Sequence, residues 1–434
     1  MTHKHGHFEH DHLRAERGHR HVGGDLYWVP DGVAASGRRD EGEYHFVPGE
    51  LLIDEQAYGR DDVEGLLSAK GFSRKDPQPS GPPSPGRRIG SSEIPGVIVT
   101  KMDAPPGHLL EMPDIVDEIR RAKPERGAVR VAPNHVFFGE HHKMWGPGQP
   151  VERGGSGYRG LRPEGDRVGA GVKIAVLDTG IAEHHLLPGF DPAEYDDPDE
   201  DDLHGTLDFE AGHGTFIGFI IRRYAPGAAI VYKRVLTSKG HVSDASLAAR
   251  LNEVADAHII NLSLGGYTHD NRGAHAVPRM IDAIRRNGNP DLVVVAAAGN
   301  DHTDRPFFPA AQKGVIAVAA ADDNDERADY SNFGWWVDAR ARGEHVSTFY
   351  DIDPGEPDAE LDAPGGVDLS EFNGWARWAG TSFATPVVAA AIAAEMTKAD
   401  VGAKEAARRL LDASESSYKE GIGVRVDPID YAIR

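Results

Sequence analysis

Three polar side chains occupy positions from which they could together carry out nucleophilic chemistry. Asp178 ends the apolar run VKIAVLD, His213 lies between two glycines in AGHGTFIG, and Ser382 follows a Gly-Thr pair in AGTSFATP. A carboxylate, an imidazole and a hydroxyl form the set that activates an otherwise weak serine nucleophile. An aspartate at a strand end or a GTS turn is common by itself, so only the combination indicates catalysis.

Those residues need a scaffold that brings distant parts of the chain together. From residue 172 onwards helical patterns alternate with short apolar runs, which are VKIAVLD, AAIVYKRVL, AHIINLSL, DLVVVAAAG and GVIAVAAA. Strands that are apolar on both faces and separated by helices predict an α/β fold with a doubly wound, mostly parallel sheet. Asp178 would then lie at the carboxyl edge of a strand, where such sheets place their sites. His213 and Ser382 would each lie at a helix start.

The sequence motifs around these residues resemble those of the subtilases, a family of subtilisin-like serine peptidases. The matching stretches are DTG at 178–180, GHGT at 212–215, SLGG at 263–266, AAGN at 297–300, YSNFG at 330–334 and GTSFATP at 380–386. The order Asp, His, Ser also fits, with gaps of 35 residues (213 − 178) and 169 residues (382 − 213). The resemblance covers most of 172–398 and implies a subtilisin-like fold that hydrolyses peptide bonds within polypeptide substrates.

The resemblance also implies a role for each residue of the site. Ser382 would attack the scissile carbonyl, His213 would accept and return the proton, and Asp178 would orient the imidazole. Asn300 and the Ser382 N–H would form the oxyanion hole. The expected substrate-binding residues are Ser263, Leu264, Gly265, Gly266, Ala297, Ala298 and Gly299. No cofactor is required and no metal ligand is expected.

Two other classes of protein stay open at this point. One is a catalytically inactive binding protein on the same fold, which the presence of Asp178, His213, Asn300 and Ser382 disfavours. The other is a different serine hydrolase, such as an esterase of the α/β-hydrolase type. That class is disfavoured because its GxSxG motif is absent around Ser382 and its chain order is Ser, Asp, His.

The sequence pattern over residues 44–142 predicts a separate α+β domain. Strands are expected at 49–55, 95–102 and 127–133, and helices at 61–72 and 112–123. The stretch VRVAPNHVFF at 129–138 resembles the closing strand of the subtilase propeptide. This resemblance implies an intramolecular chaperone and inhibitor whose tail, residues 138–141, occupies the active-site cleft and is cleaved close to Glu140. The alternative is a covalently retained domain that helps folding or binds a partner.

Three further segments are rich in polar or turn-forming residues. Residues 143–171 are rich in glycine and proline and predict a linker. Residues 1–43 predict a disordered tail with histidines at positions 3, 5, 7, 10, 12, 19 and 21, either a solvated arm or a weak site for zinc, nickel or copper. The loop 191–202 has eight carboxylates. We favour a solvated loop because no EF-hand spacing is present. Binding of structural calcium and selection of basic substrates are the alternatives.

Composition narrows the classes of partner and compartment. The chain has 434 residues, a net charge of -22 and no cysteine, which disfavours nucleic-acid binding and excludes disulfides and thiolate zinc sites. No apolar run approaches the roughly 20 residues that span a bilayer, so membrane insertion is not expected. The polar N-terminus lacks the apolar core of a secretory signal, which predicts a cytoplasmic location, with export by a non-standard route as the alternative.

Overall fold

The protein is described from a computed structural model that divides into an N-terminal module, residues 34–139, and a C-terminal domain, residues 150–433. The described residues are 20–22, 25–27, 33–36, 44–75, 94–105, 108–122, 129–139, 150–152, 160–162, 165–184, 186–187, 191–196, 210–237, 240–351, 372–413, 415–430 and 432–433. Within these ranges, no helix has both the length and the apolar character needed to cross a membrane.

The N-terminal module is a small α+β sandwich that follows a two-stranded hairpin. The hairpin consists of β1 Arg20–Val22 and β2 Asp25–Tyr27, and the strands of the module are β3 Ala34–Ser36, β4 Tyr44–Asp54, β5 Ser73–Arg74, β6 Val97–Asp103 and β7 Val131–Phe138. Strand β4 pairs antiparallel with β3, β6 and β7. Helices α1 Asp61–Ala69 and α2 Met112–Arg121 bury apolar side chains in the same core as the sheet. The three predicted strands and two predicted helices are present, but β7 continues beyond residue 133 to Phe138.

A seven-stranded parallel sheet forms the centre of the C-terminal domain. Its strands are β10 Lys173–Asp178, β11 Ala229–Arg234, β13 Ile259–Leu262, β14 Val293–Ala297, β15 Ile316–Ala321, β16 Ala339–Arg342 and β19 Val424–Arg425. They lie in the order β11-β10-β13-β14-β15-β16-β19, and every neighbouring pair is parallel. The predicted α/β fold with its parallel sheet is confirmed.

Helices cover both faces of this sheet. They are α3 His213–Tyr224, α4 Asp244–Asn252, α5 Ala276–Asn287, α6 Thr381–Ala399 and α7 Ala403–Ala413. Side chains alternate between the two faces of a strand, and in β14 Val294 and Ala296 join the core of α4 and α5. Val293 and Val295 join the opposite core, which contains α3, α6 and α7. Strands β14 and β15 lie in the middle of the sheet with both faces buried and are apolar throughout, as the sequence pattern predicted.

The other strands of the C-terminal domain lie outside the central sheet and are β8 Val151–Glu152, β9 Gly160–Leu161, β12 His241–Ser243, β17 Glu344–Asp351, β18 Asn373–Ala379 and β20 Ala432–Ile433. All of them pair antiparallel, and β12 pairs with β7 of the N-terminal module. Two predictions about the segments that flank the domains need correction. The linker predicted for 143–171 contains β8 and β9, which belong to the C-terminal domain because they pair with β18 and β20. Likewise, the tail predicted to be disordered over 1–43 contributes β3, since its backbone pairs with β4. Of the seven histidines of this tail, those up to position 19 lie outside the described residues, so both the solvated arm and the weak metal site stay predictions.

Candidate active site

Asp178 and His213 form a buried pair where the first strand of the central sheet ends. Asp178 is the last residue of β10 and His213 the first of α3, and their side chains are 1% and 0% exposed. Nδ1 of His213 lies 2.7 Å from Oδ1 of Asp178. Because an ionised carboxylate only accepts hydrogen bonds, Nδ1 carries the hydrogen and Nε2 is the basic nitrogen. Burial alone would lower the pKa of His213, but the charge and hydrogen bond of Asp178 outweigh it, so the pKa is raised.

Glycines allow the two loops that carry this pair to approach closely. A Cβ on Gly214 would lie 2.2 Å from the carbonyl oxygen of Gly180, and Gly212 has a left-handed φ of 80°. The imidazole is held between aromatic rings, with ring centroids 5.4 Å from Trp378 and 5.1 Å from Phe383. The base therefore has a fixed orientation before any ligand binds.

A second buried carboxyl group, which the sequence analysis did not single out, supports this turn. Oδ2 of Asp196 accepts hydrogen bonds from Oγ1 of Thr179 at 2.7 Å and from the N–H of Gly212 at 2.9 Å. Thr179 Oγ1 in turn accepts from the N–H of Gly214 at 3.1 Å. Burial raises the pKa of Asp196 to about 7, and the charge of Asp178 adds to the shift. Asp196 thus links the residue after Asp178 to both glycines that flank His213.

Ser382 lies in the first turn of α6 and points its hydroxyl group at two backbone carbonyls. Oγ lies 3.3 Å from the carbonyl oxygen of Gly139, in the N-terminal module, and 3.3 Å from that of Ser263. Within the described part of the chain, Nε2 of His213 has no hydrogen-bond partner. The structure therefore pairs Asp178 with His213, while the hydroxyl of Ser382 is directed at the module's tail. The proton transfer expected from Ser382 to His213 stays a prediction.

Asn300 is fixed in orientation by the residue before Ser382. Its Oδ1 accepts hydrogen bonds from both the N–H and Oγ1 of Thr381, each at 2.9 Å. Thr381 Oγ1 also accepts from the N–H of Gly299 at 3.0 Å. Oδ1 is therefore committed to Thr381, and the amide NH₂ group takes no part in these bonds. This is the end of the side chain that could donate to an oxyanion.

The predicted substrate-binding glycines lie along the chain segment that follows β13. Gly265 exchanges two 2.8 Å backbone hydrogen bonds with Phe138, so this part of the predicted edge is paired with the module's tail. Gly266 instead exchanges two 2.8 Å backbone bonds with Phe308. The hydroxyl of Ser263 donates to the carbonyl of Ser382 at 2.7 Å, and Leu264 is fully buried.

The second predicted wall continues β14 towards Asn300. Ala297 ends that strand, and the N–H of Ala298 donates to the Val318 carbonyl at 2.9 Å. A Cβ on Gly299 would lie 2.4 Å from Nδ2 of Asn332, so a larger residue has no room. The substrate-binding role of these residues stays a prediction.

The described acids of the predicted acidic loop already have partners within the protein. Glu194 accepts from Lys233 Nζ at 2.7 Å, from the Arg234 N–H at 2.6 Å and from Arg250 at 3.2 Å. Asp191 caps a short 3₁₀ turn by accepting from the N–H of Ala193 at 3.0 Å. Residues 197–202 of this loop lie outside the described residues, so the calcium alternative stays a prediction.

Comparison with known families decides the identity of the C-terminal domain. A profile described as "Subtilase family" matches residues 169–422, which is more than half of the chain. The chain belongs to the subtilase family. Because the members are serine peptidases, this subtilase is a peptide-bond hydrolase.

Individual subtilases are similar to this chain over about half of its length. Thermitase from Thermoactinomyces vulgaris is 33% identical over 234 residues, which are 51% of this chain and 73% of thermitase. Subtilisin Savinase from Lederbergia lenta is 31% identical over 241 residues, which are 52% of this chain and 76% of that protein. The thermophilic serine proteinase of Bacillus sp. strain AK1 is 31% identical over 259 residues, and the match spans 57% of its length.

A solved structure extends the similarity of fold beyond the matched region. Fervidolysin from Fervidobacterium pennivorans, described as a keratinolytic enzyme related to subtilisin, superposes with a TM-score of 0.53 at 18% identity. The superposition covers 90% of this chain and 61% of fervidolysin. The similarity of fold therefore includes part of the N-terminal module.

Proposed function

We propose that this subtilase is a serine endopeptidase that forms its acyl-enzyme on Ser382. Two features together carry the proposal. Asp178 and His213 form a buried pair, and the hydroxyl of Ser382 lies at the tail of the N-terminal module, which is bound as an extended chain. Nδ1 and Oδ1 of the pair are 2.7 Å apart, and Ser382 Oγ is 3.3 Å from the carbonyl oxygen of Gly139. Hydrolysis of an unstructured protein into several internal fragments tests the endopeptidase activity, and removal of single terminal residues would contradict it.

In the proposed reaction, Ser382 Oγ attacks the scissile carbonyl carbon while Nε2 of His213 takes the hydroxyl proton. Asp178 holds the imidazole in position and stabilises its protonated form. The amide of Asn300 and the Ser382 N–H donate to the oxyanion. When the C–N bond breaks, His213 gives the proton to the leaving amine. A water molecule then gives a proton to Nε2 of His213 and attacks the acyl carbon. The ester bond to Ser382 Oγ breaks, His213 returns the proton to Oγ, and the acid product leaves.

Replacing Asn300 by alanine is expected to lower kcat by about 100- to 1000-fold with little change in KM. The amide donates to charge that develops only in the transition state, so its loss affects the chemical step. Steady-state kinetics on a peptide substrate measure the change. The matched control is Asn324→Ala, because Asn324 is exposed and lies in a different turn. A kcat within about threefold of the original protein would remove Asn300 from the oxyanion hole.

We further propose that the N-terminal module inhibits the domain on which it lies. Its strand β7 pairs antiparallel with β12 on one side, and Phe138 pairs with Gly265 on the other. The N–H of Gly139 donates to the carbonyl of Gly240 at 3.1 Å. Addition of an extended chain to a sheet edge is a common way for a protein to bind a peptide, and here the chain is paired on both sides. The tail thereby fills the cleft that a substrate would need.

Contacts away from the cleft support a stable position for the module. Arg120 of α2 pairs with Asp270 at 2.8 Å, and Asp54 at the end of β4 pairs with Arg279 at 3.1 Å. The side chain of Asn134 accepts from the N–H of Ala245, at the start of α4, at 3.1 Å. These contacts fix the module against helices α4 and α5 and hold the tail in register.

The cluster of Asp117, His269 and Asp270 also lies at this contact and has the spacing of a metal site. Its members are already engaged, because His269 Nε2 lies 2.9 Å from Asp117 and Arg120 pairs with Asp270 at 2.8 Å. We therefore attribute this cluster to docking between the module and the C-terminal domain.

Self-cleavage is expected at a peptide bond next to Glu140. Because the carbonyl oxygen of Gly139 lies 3.3 Å from Ser382 Oγ, we expect the cut close to that residue. Intact-mass analysis of the purified active protein is expected to detect a product that starts at residue 140 or 141. The Ser382→Ala variant is expected to keep its full mass. A fully active protein of undiminished mass would favour a module that is retained.

Replacing Asp196 by asparagine is expected to weaken the pH dependence of the free energy of unfolding. Burial raises the pKa of Asp196 to about 7 from an ordinary value of 3.8, so the folded protein keeps a proton that the unfolded chain loses. Stability therefore falls as the pH rises between these two values, by roughly 3 kcal/mol from pH 5 upwards. Asparagine stays neutral and lacks this penalty.

Urea unfolding at pH 5 and pH 8.5 measures the difference. Both proteins carry Ser382→Ala, which is expected to prevent self-digestion. The control is Asp256→Asn, because Asp256 is exposed. If the free energy of unfolding falls by the same amount between pH 5 and pH 8.5 with and without Asp196→Asn, Asp196 does not titrate in this range.

A further inference from the structure

The environment of Gly139 leaves no space for a side chain. A Cβ built on Gly139 would lie 2.9 Å from Oε2 of Glu210, 3.1 Å from its carboxyl carbon and 3.2 Å from Cδ1 of Leu236. Distances near 3 Å are shorter than carbon atoms tolerate without displacement of a neighbour. The subsite that holds Gly139 is therefore closed on the side where a side chain would begin.

Glu210 has little freedom to move away. Its side chain is fully buried, and so is that of Leu236 at 1% exposure. The Glu210 side chain also lies against Gly240, because a Cβ built on Gly240 would be only 2.1 Å from Cγ of Glu210. Gly240 also has a left-handed φ of +77°, and its carbonyl accepts from the N–H of Gly139. Glu210 is therefore enclosed between two glycines, one in the tail and one in the cleft wall.

Glu210 also lies close to the catalytic base. It is three residues before His213, and the carbonyl of Glu210 accepts from the His213 N–H at 3.1 Å. The turn that positions the imidazole therefore also positions the carboxyl group. A change in the subsite wall that leaves this backbone bond intact should affect selectivity without removing the base.

We propose that Glu210 is a specificity-determining residue that restricts the position occupied by Gly139 to glycine. The inference rests on the proposed peptidase function and names a class of substrate for it, namely extended peptides with glycine at that position. The restriction arises from the volume of the Glu210 side chain. Fitting a methyl group into a filled, rigid site typically lowers reactivity by about 10- to 100-fold.

The charge of Glu210 offers a competing explanation with an opposite prediction. A carboxylate in a subsite could attract a lysine or arginine side chain of the substrate. The observed contact is with the first side-chain atom, which a basic residue also possesses, so we favour exclusion by volume. Glu210→Gln separates the two explanations, because glutamine keeps the volume and removes the charge.

Self-processing of the full chain provides the first test. Gly139→Ala is expected to slow processing by about 10- to 100-fold, and Glu210→Ala in the same chain is expected to restore it in part. The matched control is Gly65→Ala, because a Cβ on Gly65 meets no atom within 4 Å. Equal processing rates of the Gly139→Ala and Gly65→Ala chains would overturn the inference.

Cleavage of a peptide library by the processed protein provides the second test. Glycine is expected to be enriched at one fixed position beside the cut for both the original protein and Glu210→Gln. The ratio of kcat/KM for glycine over alanine peptides is expected to fall at least about tenfold in Glu210→Ala. Efficient cleavage without glycine enrichment, or enrichment of basic residues that Glu210→Gln abolishes, would overturn the inference alone. Failure to cleave any peptide would overturn the proposed function as well.

Discussion

Replacing Ser382 by alanine is expected to lower peptide-bond hydrolysis by at least about 10⁴-fold. Alanine has no nucleophile, so no acyl-enzyme can form, and only the binding and oxyanion interactions would remain. Hydrolysis of an unstructured protein and the intact mass of the chain both report the loss. The variant should keep the fold because Oγ makes only two long contacts, each of 3.3 Å, to backbone carbonyls.

Ser246→Ala is a matched control because Ser246 is exposed in helix α4. It is expected to hydrolyse and process at the original rate. Retention of more than about one per cent of the activity in folded Ser382→Ala would remove this serine as the nucleophile.

Replacing Asp178 by asparagine is expected to lower kcat by about 10⁴-fold near neutral pH. Asparagine can present its NH₂ group to Nδ1 of His213, which would favour the tautomer with hydrogen on Nε2 and block proton acceptance. The variant also removes the charge that raises the pKa of His213 against the effect of burial. The base is therefore affected in both its tautomer and its pKa.

Steady-state kinetics across pH 6 to 9 measure the change in the pKa of His213. Asp256→Asn serves as the control, since Asp256 is exposed and distant in the chain from the pair. A loss of less than about tenfold at neutral pH would contradict the assigned role of Asp178.

The parts of the site that sequence could predict are those governed by local structure. Asp178 ends an apolar strand, His213 follows a glycine and begins α3, and Ser382 lies in the first turn of α6, two residues after a glycine. Such positions are encoded by the residues next to them. The parallel sheet was predictable for the same reason, because strands buried on both faces are apolar throughout. Asn300 was recognisable only from its motif, since its orientation depends on Thr381, far along the chain.

Residues placed by long-range contacts were not predictable from the sequence. Asp196 belongs to an acidic stretch that is typical of a solvated loop, yet it is fully buried and accepts from Thr179 and Gly212. Glu210 has no motif at all, and its importance appears only once Gly139 lies against it. Strands β8 and β9 are short and rich in neighbouring glycines, so only their pairing with distant strands reveals them.

The central claim, that Ser382 is the nucleophile of this subtilase, is tested most directly by a fluorophosphonate probe that reacts only with activated serines. The module's tail covers Ser382, so labelling is expected to increase after processing. Peptide mass mapping should locate a single adduct on Ser382, and Ser382→Ala should take up no probe. No adduct on either the unprocessed or the processed protein, or an adduct that persists in Ser382→Ala, would contradict the claim.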